Sequence, residues 1–227
     1  MSNHTISEVF TDVSVDPFVR GLVHHPAHGN DNGNGLVLTH GAGGNCNAPL
    51  LVALAETFTG AGFTVLRCDL PYRQDRPYGP PRPGDSKRDR AGLKNAVAAL
   101  RYLAAARVFL GGHSYGGRQS SMLCADEPGL VAGLVLTSYP LHPPGKAEQF
   151  RTQHLPNLRT PTLFVQGTRD PFGSIAEIEQ ALKLIPAKTE LLVVDSAGHD
   201  LGFKGKARRE ELPGKVLQEF QNLFGKP

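Results

Sequence analysis

The stretch 111-GGHSYGG-117 sets one hydroxyl, Ser114, between two pairs of glycines, directly after the apolar run Val108-Phe109-Leu110. A serine hydroxyl is a weak nucleophile at its ordinary pKa and reacts when a base within hydrogen-bond reach takes its proton. Two other segments offer the missing groups: 166-QGTRDPFG-173 carries a carboxylate, Asp170, and 195-DSAGHD-200 carries an imidazole, His199. Imidazole is neutral and proton-accepting near pH 7, and a carboxylate can fix its tautomer and stabilise the imidazolium that forms. A glycine-rich segment, 40-HGAGG-44, supplies backbone N–H groups for the negative charge of a tetrahedral intermediate. Ser114, Asp170 and His199 are therefore the candidate catalytic residues. The N–H groups of Ala42 and of Tyr115, the residue after the nucleophile, are the candidate oxyanion donors.

Such groups are useful only if the chain delivers them to one place. Val108 to Leu110 reads as a short buried strand and Gln119 to Cys124 as the start of a helix, which puts Ser114 on a tight strand-to-helix turn of the pattern G-x-S-x-G. That turn strains its central residue, and the small neighbours Gly112 and Gly116 let strand and helix pack closely. Leu36 to Thr39, Thr162 to Val165 and Leu191 to Val194 read as further strands, each followed by one of the segments named above. In an open parallel sheet ligands bind beyond the carboxyl ends of the strands. Three strand ends thus offer a hydroxyl, a carboxylate and an imidazole, in the chain order Ser, Asp, His.

The remaining elements complete an alternation. Ile6 to Val13 and Val19 to His25 are predicted strands, joined closely enough to make an antiparallel edge, and 29-GNDNGNG-35 is a loop. A helix is predicted over Leu50 to Ala61, closed by Gly62, and a strand over Thr64 to Cys68. Residues 70 to 90 are the least regular stretch, rich in proline and charge, and Lys87 to Ala105 is amphipathic with Leu93, Val97, Leu100 and Ala104 aligned. Leu134 to Thr137 is a strand, Ile175 to Leu184 a helix, and Gly214 to Phe224 a closing amphipathic helix. Strands alternating with helices imply crossovers and a mainly parallel sheet in one α/β domain spanning residues 1–227.

Other chemistry-bearing residues compete less well. Asp69 follows an earlier strand and is the alternative acid; Asp195 and Asp200 flank the histidine too closely to orient it. His113 lies inside the turn, and His40 is placed to hold the shape of its loop. Cys46 is read as packed, as are Cys68 and Cys124, since three distant cysteines make neither a disulfide framework nor a zinc pattern. No metal-ligand spacing and no phosphate-binding loop occur, so no metal and no cofactor is expected.

Lys plus Arg number 24 against 21 Asp plus Glu, a net charge of +3, too little to argue for nucleic acid. The basic residues in Arg67 to Arg90 and Lys204 to Arg209 are interleaved with acidic ones and read as solvated faces, with a weak preference for anionic substrates as the alternative reading. The opening MSNHTISEVFTDVSVD lacks the features of a signal peptide, and no apolar run approaches the ~20 residues that span a bilayer. A cytoplasmic location without membrane partners is expected, where the sequon Asn3-His4-Thr5 carries no weight.

From 40-HGAGG-44 through 112-GHSYGGR-118 to 166-QGTRDPFG-173 and 197-AGHD-200, the chain resembles the α/β-hydrolase superfamily. Arg118 after the double glycine and the compact acid loop make it similar to a small capless group, related to dienelactone hydrolases and to the testis-expressed-protein-thirty and NSL-complex-subunit-three domains. The resemblance implies an α/β-hydrolase fold and a Ser-His-Asp triad. Dienelactone hydrolases usually carry cysteine where this chain has Ser114, a departure that sets their specific activity aside. Between Thr137 and Thr162 only about two dozen residues are available where many relatives insert a lid domain. An open site is expected, walled by residues 70 to 90 and 139-YPLHPPGK-146, with Tyr72, Tyr115 and Tyr139 either lining it or, as is commoner for aromatics near strand ends, simply packed. Two functions compete: a serine hydrolase of small esters or thioesters, and a non-catalytic interaction domain retaining a vestigial triad. Perhydrolysis by the same residues would be a side activity.

Overall fold

A computed structural model of the chain describes residues 6–103, 106–204 and 209–225. Ala104, the sequon Asn3-His4-Thr5 and most of the basic stretch after Lys204 lie outside the described residues. Among these residues eight strands form one sheet in the order β1-β2-β4-β3-β5-β6-β7-β8. They are β1 (Ile6–Asp12), β2 (Val19–His25), β3 (Asn34–Thr39), β4 (Thr64–Cys68), β5 (Arg107–His113), β6 (Leu134–Thr137), β7 (Thr162–Gly167) and β8 (Thr189–Val194). β1 pairs antiparallel with β2, and β2 with β4; from β4 to β8 every pairing is parallel. The antiparallel edge and mainly parallel body are those expected from short opening connections followed by helical crossovers.

Among the described residues six helices cover the sheet: α1 (Pro49–Gly60), α2 (Pro71–Asp75), α3 (Asp85–Leu103), α4 (Tyr115–Asp126), α5 (Ile175–Leu182) and α6 (Leu212–Phe224). Burial on both faces explains why the central strands read as continuous apolar runs. In β3, Leu36 and Leu38 join the cluster under α1 and α6, while Val37 joins the one under α3 and α4. In β5, Phe109 faces the first cluster and Val108 and Leu110 the second. The first is rich in aromatic rings: Phe58, Phe63, Phe109 and Phe220 meet edge to face or tilted, with centroids 4.7 to 6.3 Å apart. At 4.5 to 7 Å such pairs add about 0.5–1.5 kcal/mol each beyond area burial.

Several boundaries differ from the sequence expectation, for physical reasons. β3 begins inside the 29–35 loop, because Asn34 pairs with Arg107 and Gly35 with Val108. α4 starts at Tyr115 and not at Gln119, so Gly116 and Gly117 are helical. Glycine lowers helix propensity, but here contacts with β3 and β5 decide. Residues 70 to 90 are more regular than their composition suggests. Pro71 stands in the first turn of α2, where a missing N–H costs nothing, and α3 already begins at Asp85. Between β6 and β7 the chain makes only a 3₁₀ turn, Leu155–Asn157, and no lid domain. No helix among the described residues is long and apolar enough to cross a membrane.

Candidate active site

Thr39 at the end of β3 pairs with Gly112 near the end of β5, so the 40–44 loop and Ser114 leave the sheet side by side. Ser114 has φ 51° and ψ −117°, a backbone conformation that non-glycine residues rarely adopt. The glycines around it are required by close approach. A Cβ on Gly112 would stand 2.5 Å from the Gly117 nitrogen, and one on Gly116 would stand 2.5 Å from the His40 carbonyl oxygen. Backbone atoms cannot yield at that distance, so the strand, helix and 40–44 loop close around the serine only with glycine at these positions.

The ends of β7 and β8 bring the other two groups to it. The Ser114 Oγ lies 2.8 Å from Nε2 of His199, and His199 Nδ1 lies 3.0 and 2.9 Å from the two carboxylate oxygens of Asp170. The Asp170 side chain is wholly buried, and its Oδ1 also accepts the Phe172 N–H at 2.9 Å. With the carboxylate accepting from Nδ1–H, Nε2 presents its lone pair to the serine hydroxyl. Phe172 covers the imidazole, its ring centroid 4.2 Å away. His113 is also close, 5.2 Å between centroids, with its Nδ1 3.2 Å from the Thr137 hydroxyl. Burial pushes the His113 pKa down to about 3, with a smaller push from His199, so it adds no positive charge next to His199.

The loop carrying Ala42 is held by buried side chains. His40 Nδ1 donates to the Gly41 carbonyl at 2.8 Å while its Nε2 accepts the Leu70 N–H at 3.1 Å. Burial lowers its pKa, and these two partners together require the neutral ring with its proton on Nδ1. The Tyr72 hydroxyl donates to the carbonyls of Ala42 and Gly41 at 2.7 and 3.3 Å, and Arg73 reaches Gly44 and Ala42 at 2.7 and 3.2 Å. Anchoring the Gly41 carbonyl in the interior turns the trans peptide's opposite end, the Ala42 N–H, away from that anchor. Neither the Ala42 N–H nor the Tyr115 N–H has an acceptor among the described residues. Both residues line a cavity of about 820 Å³ with Ser114 and His199 on its wall.

Other candidates are occupied elsewhere. Asp69 accepts the Cys46 N–H at 2.7 Å and pairs with Arg20 at 3.2 Å, far from His199 in its bonding. Asp200 accepts the N–H groups of Gly202 and Lys204, and Asp195 bonds Ser196 and Thr168. Cys46 is buried and its thiol is pushed up to about 11, chiefly by burial, so it is not a thiolate at neutral pH. Cys68 and Cys124 are buried as expected.

Of the three tyrosines, Tyr115 lines the cavity, while Tyr72 and Tyr139 are 2% and 1% exposed and pack behind its wall. One expectation is corrected: the 67–90 basic stretch is not a uniformly solvated face. Arg67 and Arg73 are both 4% exposed, Arg67 donating to His24, Asn47 and the Cys46 carbonyl. Asp89 is a further buried group that the sequence reading does not single out: wholly buried on α3, it accepts the Tyr115 hydroxyl at 2.7 Å and the Tyr72 N–H at 3.0 Å. A carboxylate four residues before Leu93 on an apolar helix face was its available signal. Pro80, Pro81 and Pro140 line the cavity, as the proline-rich walls were expected to.

A family model described as an alpha/beta hydrolase domain matches residues 32–223. Among solved structures, a dienelactone hydrolase from Anabaena variabilis is similar at 21% identity and a TM-score of 0.73, covering 99% of this chain and 100% of that one. An alpha-beta serine hydrolase homologue from Coxiella burnetii is similar at 19% identity, TM-score 0.74, over 93% of this chain and 96% of its own. A serine hydrolase without a lid from Xanthomonas campestris is similar at 16% identity, TM-score 0.70, over 96% and 95%. At these identities the likeness is one of fold.

Proposed function

The chain belongs to the α/β-hydrolase family, and from that premise we propose that it is a serine hydrolase that cleaves a small ester or thioester through an acyl-enzyme on Ser114. The observation that carries the reading is the unbroken hydrogen-bonded series Ser114–His199–Asp170 opening on a cavity. His199 Nε2 removes the hydroxyl proton as Oγ attacks the carbonyl carbon, and Asp170 stabilises the imidazolium. The developing oxyanion takes the Ala42 and Tyr115 N–H groups, the second also at the positive end of α4. The imidazolium then protonates the departing alcohol or thiol. Water, activated by the same nitrogen, hydrolyses the acyl-enzyme and restores Ser114.

Without a lid domain, and with an open wall of Pro80, Pro81 and Pro140, the cavity suits short or compact acyl groups. The test is labelling with a fluorophosphonate followed by peptide mapping, with turnover of p-nitrophenyl esters of varied chain length. Labelling confined to Ser114, with ester turnover, is the expected result. An unlabelled, inert but folded chain would favour the competing reading, an interaction domain with a vestigial triad.

A further inference from the structure

The cavity beside Ser114 is lined by two arginines that the reaction above does not use, Arg118 and Arg151. They come from different elements. Arg118 lies in the first turn of α4, its N–H donating to the Ser114 carbonyl at 2.9 Å. Arg151 lies on the connection between β6 and β7, its N–H donating to the Leu141 carbonyl at 2.8 Å. Neither guanidinium has an ion pair or a side-chain hydrogen bond among the described residues, and the Nε of Arg118 is buried without a partner.

The surroundings do not neutralise them. The polar groups nearby are His154, Ser121 and Tyr139, bonded to one another at 2.8 to 3.2 Å. Burial, then Arg118, pushes the His154 pKa down to about 4, so this bed is uncharged at neutral pH. Burial, and after it repulsion from the charge of Arg118, lowers the pKa of Arg151. Asp200, the carboxylate lining the cavity, is engaged by the Gly202 and Lys204 N–H groups. Five donors on a planar fork, partly desolvated and without acceptors, are costly unless something negative arrives.

We propose that Arg118 and Arg151 form an anion subsite, and that the substrate is an ester or thioester bearing a carboxylate or phosphate group. An oxyanion seated between the two guanidiniums accepts charge-assisted hydrogen bonds from both and removes their mutual repulsion. It takes no part in bond making. Its role is to hold the ester carbonyl at Ser114, one helical turn from Arg118. The substrate assignment rests on the hydrolase reading above, whereas anion binding can be measured without turnover.

The experiment therefore has two arms. In the first, kcat/KM is compared for mono-p-nitrophenyl glutarate and its uncharged counterpart p-nitrophenyl hexanoate. The expected preference for the anionic ester is roughly 10- to 100-fold, the worth of one or two hydrogen bonds to a charged group, and it shrinks as salt is raised. Arg118→Gln and Arg151→Gln should each lower the ratio toward one, and Arg→Lys should restore it only in part. In the second arm, glutarate and inorganic phosphate are titrated calorimetrically into Ser114→Ala. Saturable binding weakened tenfold or more by Arg118→Gln or Arg151→Gln is expected, and the tighter of the two anions names the group. Equal kcat/KM for the two esters, or no saturable binding of either anion, overturns the subsite even if neutral esters are cleaved. Anion binding lost on arginine substitution, in a protein that cleaves no ester, would keep the subsite and overturn the acyl-enzyme reading.

Discussion

Replacing Asp170 by asparagine tests whether the acid partner acts through the tautomer of His199. In the carboxylate, Oδ1 accepts the Phe172 N–H at 2.9 Å and both oxygens face His199 Nδ1 at 3.0 and 2.9 Å. An asparagine must keep its carbonyl oxygen at the Oδ1 position, because an NH₂ there would meet the Phe172 N–H donor to donor. The NH₂ then takes the Oδ2 position and points a proton at Nδ1. That favours the imidazole with its hydrogen on Nε2, facing Ser114 across 2.8 Å, where it cannot accept the hydroxyl proton. The wholly buried side chain leaves no room for water to repair the mismatch. A tautomer error of this kind lowers kcat by about 10⁴-fold, about 5 kcal/mol at 1.36 kcal/mol per decade. Asp170 does not line the cavity, so KM should stay within a few-fold. The assay is kcat and KM for p-nitrophenyl butyrate at pH 7.5, with Asp69→Asn as the comparison. A loss below tenfold in Asp170→Asn, or an equal loss in Asp69→Asn, would refute the assignment.

Ser114→Ala is expected to abolish fluorophosphonate labelling and ester turnover with thermal stability nearly unchanged. Ser114→Gly, which relieves the φ of 51°, should raise stability by about 1 kcal/mol; undiminished turnover by either variant would remove Ser114 from the chemistry. Acid should weaken the fold through three histidines that burial holds neutral, His24, His113 and His154, with pKa values pushed from 6.5 down to about 4, 3 and 4. Because the unfolded chain binds more protons between those values and 6.5, their contribution is complete above pH 6.5 and declines as pH falls toward 3. Urea midpoints that stay flat from pH 7 to 4 would contradict it. In a series of uncharged p-nitrophenyl esters from acetate to palmitate, kcat/KM should rise by at most ~0.8 kcal/mol per methylene and level off near six carbons. A steady rise to palmitate would mean that residues 76 to 84 close over the site.

Much of the arrangement was readable in the chain itself, for reasons that differ by element. The central strands stood out because burial on both faces leaves them apolar throughout, as in Val108 to Leu110. Boundaries were less readable where tertiary contacts override local preference. Gly116 and Gly117 look like loop residues, yet they are helical because only glycine allows α4 to touch β5 and the 40–44 loop. Residues 71 to 75 look irregular, yet they fold into a helix whose Arg73 is drawn inward by four carbonyl oxygens.

By itself the sequence determined the tight turn around Ser114, the glycine-rich loop before it and the order in which hydroxyl, carboxylate and imidazole follow strand ends. Each depends on neighbours along the chain: glycine spacing, apolar runs and the punctuation of loops. Only the tertiary structure decided which charged groups meet. Asp69 and Asp170 both follow a strand, but β4 lies on one side of β5 while β7 and β8 lie on the other, and that sheet order takes Asp69 to Arg20 and Asp170 to His199. The same folding brings Arg118 and Arg151, from separate elements, to one cavity without a counter-ion among the described residues. Pairing of charges is a matter of distance in space, and residues far apart in sequence acquire that distance only when the sheet has closed.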